Sequence, residues 1–458
     1  MKSWNPERLA EACGGRLLGS PRVSAGPQRV VIDSRQAGPG TLFVGLRGEN
    51  VDGGEFAPQA LAAGAWGVLV AHDHAERLVG LAADARPGAG GVVLAAADPL
   101  LALQRLATAW RRELGAKVIA VTGSTGKTTT KDILVSLLAP ARNVAYTRAN
   151  FNTEIGVPLE ILAAPAGSEV LVLEHAMRGA GQIAELAGIS EPDVAVIVNV
   201  GPVHLELLGS VEAIAAAKAE LIAALREGGT AVVPAREPLL EPFLRRELRV
   251  IEFGPGGDVS FDGPGAGSRV AILLAGRRTE LEVPFAQPHL RTNLLAAAAA
   301  ALAVGVIPSG RVDVAFSPGR GQRTELPEGI TVIDDCYNAN PMSVRAALED
   351  LASSAATAGS SRRVAVLGDM LELGPSAPEY HLEAGRQAAA AGVEVLVTVG
   401  PLARTMAEGF GGEVHAVASA AQAAPLVREL VRPGDVVLVK GSRGVGLEVV
   451  CSALTARH

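Results

Sequence analysis

Cysteine is scarce in this chain, and so is any block of basic charge. Of 458 residues, three are cysteine: Cys13, Cys336 and Cys451. They are odd in number and far apart in sequence, which gives neither a disulfide framework nor the spacing of a zinc site. Lysine and arginine together number 41 against 48 acids, a formal net charge of −7, with no long basic run. Nucleic acid is therefore not the expected main partner. The opening "MKSWNPERLAEACGG" lacks the apolar stretch of a secretory leader. The longest Ala/Leu run, 294–307, falls short of the roughly 20 residues a membrane span needs and reads as a buried helix. The expectation is a cytoplasmic, monomeric globular protein with no membrane insertion.

Apolar residues, by contrast, make up 48% of the chain. The length suits roughly two to four domains at about 150 residues each. Short apolar runs alternate with helical patterns, the mark of layered α/β domains. Residues 1–112 hold strand candidates "RVVID", "TLFVGL", "WGVLV" and "GVVLA". Residues 113–315 hold "KVIAV", "EVLVLE", "VAVIVNV" and "TAVVP", then a Gly/Pro-rich hairpin region, "FGPGGDVSFDGPGAGSR", and the Ala-rich helix. The flexible linker "VAFSPGRGQRTEL" leads into residues 316–458, where "TVID", "RRVAVLGD", "VEVLVTVG" and "DVVLVKG" alternate with helices as in a Rossmann-like domain.

The stretch "AVTGSTGKTTTK" carries the chemistry. Gly126, Lys127 and Thr128 close a phosphate-loop pattern, but Val121 stands where its first glycine belongs, and the nearest glycine is Gly123. A strand precedes the loop and a helix is expected from about Thr128, the context a phosphate site requires. Backbone N–H groups at a helix N-terminus hold phosphate oxygens. Lys127 would neutralise the β- and γ-phosphates and Thr128 would ligate Mg2+. A glycine-rich turn with a surface lysine is the plainer alternative.

Glu174 ends a strand beside that loop, where a carboxylate is placed for Mg2+. His204 lies in the loop after the next strand. Asn150 and Asn152 either cap the following helix or bind substrate. Asp334 and Asp335 end "TVIDD", where an acid can accept from a ribose or cap a turn. Arg320 and Arg323 either reach a phosphate or face solvent. Lys440, Ser442 and Arg443 suit an anionic substrate or a solvated loop. In "SVEAIAAAKAELIAALREG", the stripe Ile214, Leu221, Ile222 and Leu225 puts Lys218 on the apolar face of a helix. Snorkelling would return its ammonium to water; burial would favour the neutral amine.

The segments "TGSTGKTTTK", "NFNTEIGVPL", "LEHAMRGAGQIAEL", "VHLELLGS", "AAKAEL", "SPGRGQR", "DDCYNANP", "LGDMLELG" and "VKGSRG" occur in this order. Together they resemble the Mur ligases, and among them the branch that adds D-alanyl-D-alanine. The family's loop, T-G-[ST]-x-G-K-[ST], fits Thr122 to Thr128 without the extra glycine. The resemblance implies three α/β domains: an N-terminal UDP-binding domain, a central P-loop ATPase-like parallel-sheet domain, and a C-terminal Rossmann-like domain for the amino substrate. It implies ATP-dependent joining of D-Ala-D-Ala to UDP-MurNAc-tripeptide through an acyl phosphate, with Mg2+, in peptidoglycan precursor synthesis. Carried over by position, Gly123, Ser124, Thr125, Gly126, Lys127, Thr128 and Thr129 hold ATP phosphates. Asn293 contacts adenine, Arg320 a phosphate and Asp335 the ribose. Thr128, Glu174, His204 and a carbamoylated Lys218 hold the metal. Ser34, Arg35, Asn150, Asn152, Tyr337, Asn338, Lys440 and Arg443 bind substrate. The chain departs from common family residues at Gly54, His175, Leu290 and Cys336. An amide ligase of this architecture acting on another acid, and a non-catalytic ATP-binding relative, are the competing readings.

Overall fold

A computed structural model describes residues 1–20, 23–83, 91–263, 267–357 and 362–456. Its strands form three sheets. The first contains β1 (Arg16–Leu18), β2 (Arg29–Val31), β3 (Thr41–Val44), β4 (Gly67–Ala71) and β5 (Val92–Ala96), in the order β1-β5-β4-β3-β2. Its strands are parallel except β1, which runs against β5. Strands β3, β4 and β5 are buried throughout and read as unbroken apolar runs, as strands covered on both faces must.

The second sheet contains β6 (Lys117–Thr122), β7 (Val144–Tyr146), β8 (Val170–Glu174), β9 (Val194–Ile197), β10 (Thr230–Pro234), β11 (Arg249–Phe253), β12 (Val259–Phe261), β13 (Arg269–Leu274), β14 (Arg277–Glu282) and β15 (Gly310–Arg311). Seven of these, in the order β7-β8-β6-β9-β10-β11-β12, are parallel. The expected hairpin region is an antiparallel pair, β12 with β13, whose tip at 264–266 lies outside the described residues.

After β6 the chain builds outward to one side through β7 and β8. It then returns to the other side at β9. Ligands of open α/β sheets bind at such a switch point, beyond the carboxyl ends of the strands. The helix Lys127–Leu138 begins there, one residue earlier than expected, and buries Ile133, Leu134, Leu137 and Leu138. It packs against the Ala-rich helix Pro288–Ala303. Ala296 to Ala301 are fully buried there. Small side chains at a contact let helix axes approach closely, which brings Asn293 up to the loop.

The third sheet contains β16 (Gln322–Leu326), β17 (Ile330–Asp334), β18 (Arg363–Gly368), β19 (Val395–Val399), β20 (Glu413–Val417) and β21 (Val436–Lys440), in the order β16-β17-β21-β18-β19-β20. It is parallel but for the edge strand β16. That strand corrects the reading of the linker as wholly flexible. Its residues are exposed on both faces, so burial leaves no alternation to read. Ladder bonds to β17 hold it instead, and Arg323 donates to Asp350 and Ser354 at 2.7 Å each.

Candidate active site

The loop after β6 is shaped by backbone freedom and by one asparagine. Gly126 adopts φ +75° and caps the helix Lys127–Leu138. A Cβ at Gly126 would meet Asn293 Oδ1 at 2.6 Å, so the position needs glycine on two counts. Asn199, at the end of β9, accepts from the Thr125 amide at 2.9 Å and donates to the Thr125 hydroxyl at 3.0 Å. The sequence reading missed Asn199, although the strand-end logic that picked Glu174 applies to it equally. Ser124 is buried, and its hydroxyl donates to the Gly201 carbonyl at 3.0 Å.

The first turn of the helix meets β8. Thr128 Oγ1 donates to Glu174 Oε2 at 2.8 Å, and Asn152 Nδ2 donates to Glu174 Oε1 at 2.9 Å. Glu174 is only 2% exposed. Arg320 donates to Thr128 Oγ1 at 3.1 Å from the segment that enters the third sheet. Lys127 Nζ donates to the Gly123 carbonyl at 2.8 Å. Enclosure lowers its pKa, opposed by Glu174 and assisted by Arg320. The capping alternative for the asparagines is not observed. The helix Gly156–Ala163 has Ile155 at its N-cap and no side-chain cap bond, while Asn150 and Asn152 line the cleft.

His204 has a left-handed backbone, φ 53°, at the head of the short helix Leu205–Leu208. Its Nδ1 is bonded to Glu372 of the third domain. Burial pulls the imidazole below its ordinary range, and Glu372 pulls the other way. Glu372 lies inside "LGDMLELG" but was not singled out, because its role depends on a contact between domains. Lys218 is 2% exposed on the helix Val211–Ala223, with Ile214, Leu221 and Ile222 buried beside it. Burying each of those side chains contributes about 1.5–3 kcal/mol, enough to hold a lysine inside. Among the described residues Lys218 has no hydrogen-bond or ion-pair partner. Burial, then the charge of Lys127, brings its amine well below the ordinary lysine range.

Opposite lies the third domain. Lys440 is buried and donates to Asp335 Oδ2 at 2.6 Å and to the Asn338 carbonyl at 3.0 Å. The guanidinium of Arg320 sits 3.9 Å over the Tyr337 ring, and that of Arg443 sits 5.0 Å over it. Ser124 to Thr129, Asn150, Asn152, Glu174, His204, Asn293, Arg320, Asp335, Tyr337, Asn338, Lys440 and Arg443 line one cleft of about 1300 Å³. Gly123 and Lys218 are not among the residues that line it. Ser34 and Arg35 are not brought to it. Ser34 Oγ donates to Gln59 at 3.4 Å, and Arg35 pairs with Asp33 on the surface of the first domain.

The family departures have local accounts. A Cβ at Gly54 would lie 2.5 Å from the His74 ring, and His74 Nε2 bonds Asp52 at 2.9 Å. An imidazole from the helix His72–Ala83 thus occupies the space beside Gly54. Leu290 packs on the central core. His175 is fully buried, bonds Ser190 Oγ at 3.3 Å, and burial drives its pKa down to about 3. The folded state therefore refuses a proton that the unfolded chain accepts below about 6.5. Stability from this site is complete above that pH and is lost as pH falls toward the folded value. His175→Gln should flatten the fall in denaturation midpoint between those limits; an unchanged slope would refute this account.

Three α/β domains, the second and third of which enclose a cleft headed by a phosphate-type loop, define a nucleotide-dependent enzyme. Residues 28–111 match the Mur ligase family catalytic domain, 121–301 the Mur ligase middle domain, and 319–443 the Mur ligase glutamate ligase domain. A UDP-N-acetylmuramoyl-tripeptide–D-alanyl-D-alanine ligase from Synechocystis is 37% identical, covering 94% of this chain and 92% of its own. The enzyme of that name from Escherichia coli is 32% identical, covering 98% and 97%. The crystal structure of MurF from Acinetobacter baumannii superposes with a TM-score of 0.85 at 30% identity, covering 99% of each chain. MurF from Thermotoga maritima in complex with ADP gives 0.76 at 29% identity, covering 94% of this chain and 98% of that one. The chain belongs to the Mur ligase family.

Proposed function

We propose that this enzyme joins D-Ala-D-Ala to the free carboxylate of UDP-MurNAc-tripeptide with ATP, in peptidoglycan precursor synthesis. The relatives named above, matched over nearly their whole length, support the reaction. The observation that carries it is the convergence of Lys127, Thr128, Glu174 and Arg320 at the switch point, faced by Asp335 and Lys440. A tripeptide carboxylate oxygen attacks the γ-phosphorus, the bond to the bridging oxygen breaks, and ADP leaves. The dipeptide amine then attacks the acyl carbon, loses a proton, and phosphate leaves.

Such transfer depends on positioning and charge neutralisation more than on covalent help. The loop from Gly123 to Thr129 cradles the phosphates, and Lys127 and Arg320 offset their charge. Asn293 is assigned to adenine and Asp335 to the ribose, with Lys440 fixing the Asp335 carboxylate. Buried hard oxygen donors, Thr128 Oγ1 and Glu174, fit Mg2+. His204 and a carbamoylated Lys218 complete the set that would hold it. When bound, the ion supplies charge neutralisation at the phosphates. Asn150, Asn152, Tyr337, Asn338 and Arg443 are assigned to the peptide substrates, and Ser34 and Arg35 to the UDP-sugar. The domains run 1–112 for UDP-sugar, 113–315 for ATP and 316–458 for the amino substrate. Among the described residues no helix is long and apolar enough to cross a membrane. A cytoplasmic monomer accords with the reading.

ADP release should require UDP-MurNAc-tripeptide, and amide product should require D-Ala-D-Ala. Turnover with a different acid and none with this one would transfer the assignment to another amide ligase. Substrate-independent ATP binding without turnover would make the protein a non-catalytic relative. Glu174→Gln should raise the Mg2+ concentration needed for half-maximal rate by on the order of tenfold or more. Unchanged metal dependence would remove Glu174 from the metal site.

A further inference from the structure

Folding joins what the sequence keeps apart. Asp334 ends β17, Cys336 follows two residues on, and Cys451 lies on the last helix, Glu448–Thr455. A carboxylate oxygen of Asp334 and the two sulfurs all lie within 4.8 Å of one another. Cys336 and Cys451 are 7% and 8% exposed, in the apolar cluster that includes Val437, Val439, Leu447 and Val450. Lys440, on the strand next to β17, is committed to Asp335, and among the described residues no basic side chain pairs with Asp334.

Without a cation the carboxylate favours the neutral Cys451 thiol, and Asp334 Oδ1 accepts from the Cys336 amide at 3.2 Å. The Cys336 sulfur, the apolar wall and the Asp334 carboxylate, in that order, push the Cys451 thiol above its ordinary range. Two adjacent sulfurs allow a disulfide, but forming one needs a thiolate to attack, and the neighbouring carboxylate opposes that thiolate. A divalent cation inverts this balance. It is drawn by the carboxylate and stabilises both thiolates.

We propose that Asp334, Cys336 and Cys451 form a site for a thiophilic transition-metal ion of the zinc class. Two sulfurs and one carboxylate oxygen are a suitable donor set, and tetrahedral coordination leaves a fourth position for water. Metal–sulfur bonds of about 2.3 Å place two sulfurs roughly 3.8 Å apart, within the spacing already present. The two thiol protons pass to solvent as the ion binds. The site differs from the proposed Mg2+ site, which has no sulfur. It sits behind Asp335 and Tyr337, and an ion there ties the cleft-facing loop to the final helix.

The test uses the full-length protein, reduced, stripped with a chelator and free of nucleotide. Titration with Co2+ should give a saturable, stoichiometric sulfur-to-cobalt charge-transfer band in the near ultraviolet, displaced by Zn2+. Cys336→Ser and Cys451→Ser should abolish it. Asp334→Asn should weaken binding by on the order of 10–100-fold, and Cys13→Ser should leave the band unchanged. X-ray absorption of zinc-loaded wild-type protein should show two sulfur neighbours, a readout that needs no variant to fold. Absence of the band at saturating Co2+, its persistence in the Cys336/Cys451 double variant, or a Cys336–Cys451 disulfide in the untreated protein would overturn the proposal.

Discussion

Lys127→Ala should abolish turnover and leave the fold standing. The side chain is half-buried in the cleft, and among the described residues its hydrogen bond is to the Gly123 carbonyl of its own loop. Its removal empties no apolar core. The loop keeps its shape through Gly126 and through the bonds of Asn199 to Thr125. What is lost is a cation enclosed where water screens little, and that setting magnifies its effect on phosphoryl charge. A deficit of about 4 kcal/mol in barrier corresponds to roughly 10³-fold in rate. ADP release with both substrates present measures it, with thermal unfolding as the control. A rate within a few-fold of wild type would detach Lys127 from the chemistry. An unfolded variant would show that the loop is structural.

Lys218→Ala should cost nearly as much, for a different reason. A buried lysine without a partner is expensive as an ammonium and inexpensive as a neutral amine. A neutral amine adds CO2 to give a carbamate, an anionic oxygen donor that suits Mg2+. The helix supports this by burying Ile214, Leu221 and Ile222 on the same face. The variant should lose most activity, on the order of 10²-fold or more if a metal contact goes with it. Short carboxylic acids should restore part of that activity, because they return an oxygen anion to the space left by the side chain. Depletion of CO2 should slow the wild-type enzyme and leave the variant unaffected. Full activity in the variant, or no rescue by any small carboxylate, would sink the assignment.

Some of this was legible in the sequence because the signals were local. The turn "TGSTGKT" sits between a buried strand and a helix, and Glu174 ends the neighbouring strand. The face of Lys218 follows from a 3.6-residue period. The parallel strands declared themselves as apolar runs because both of their faces are covered. Other parts were illegible for equally physical reasons. The edge strand Gln322–Leu326 is polar and exposed, and it exists because of its ladder to Ile330–Asp334. Glu372 reaches His204, and Cys451 reaches Cys336, only after the third domain has folded. Cysteine spacing along the chain therefore gave no metal reading, although two of the three sulfurs meet in space. Ser34 and Arg35 were named through family resemblance alone, and the fold leaves them on a separate surface.

The helix behind the phosphate loop is also tied to the segment that leaves its domain. Asp132 is buried, pairs with Lys131 at 2.7 Å, and accepts from the Ser317 amide at 2.9 Å. Three residues further on, Arg320 bonds Thr128. The crossing between the second and third domains is thus riveted to the first two turns of one helix rather than hung as a free tether. A fragment ending at residue 315 would expose the Asp132 carboxylate and take away its backbone partner, while one reaching past Arg320 would keep both fastenings. Where the chain can be cut is decided by this helix, not by the gap between sheets.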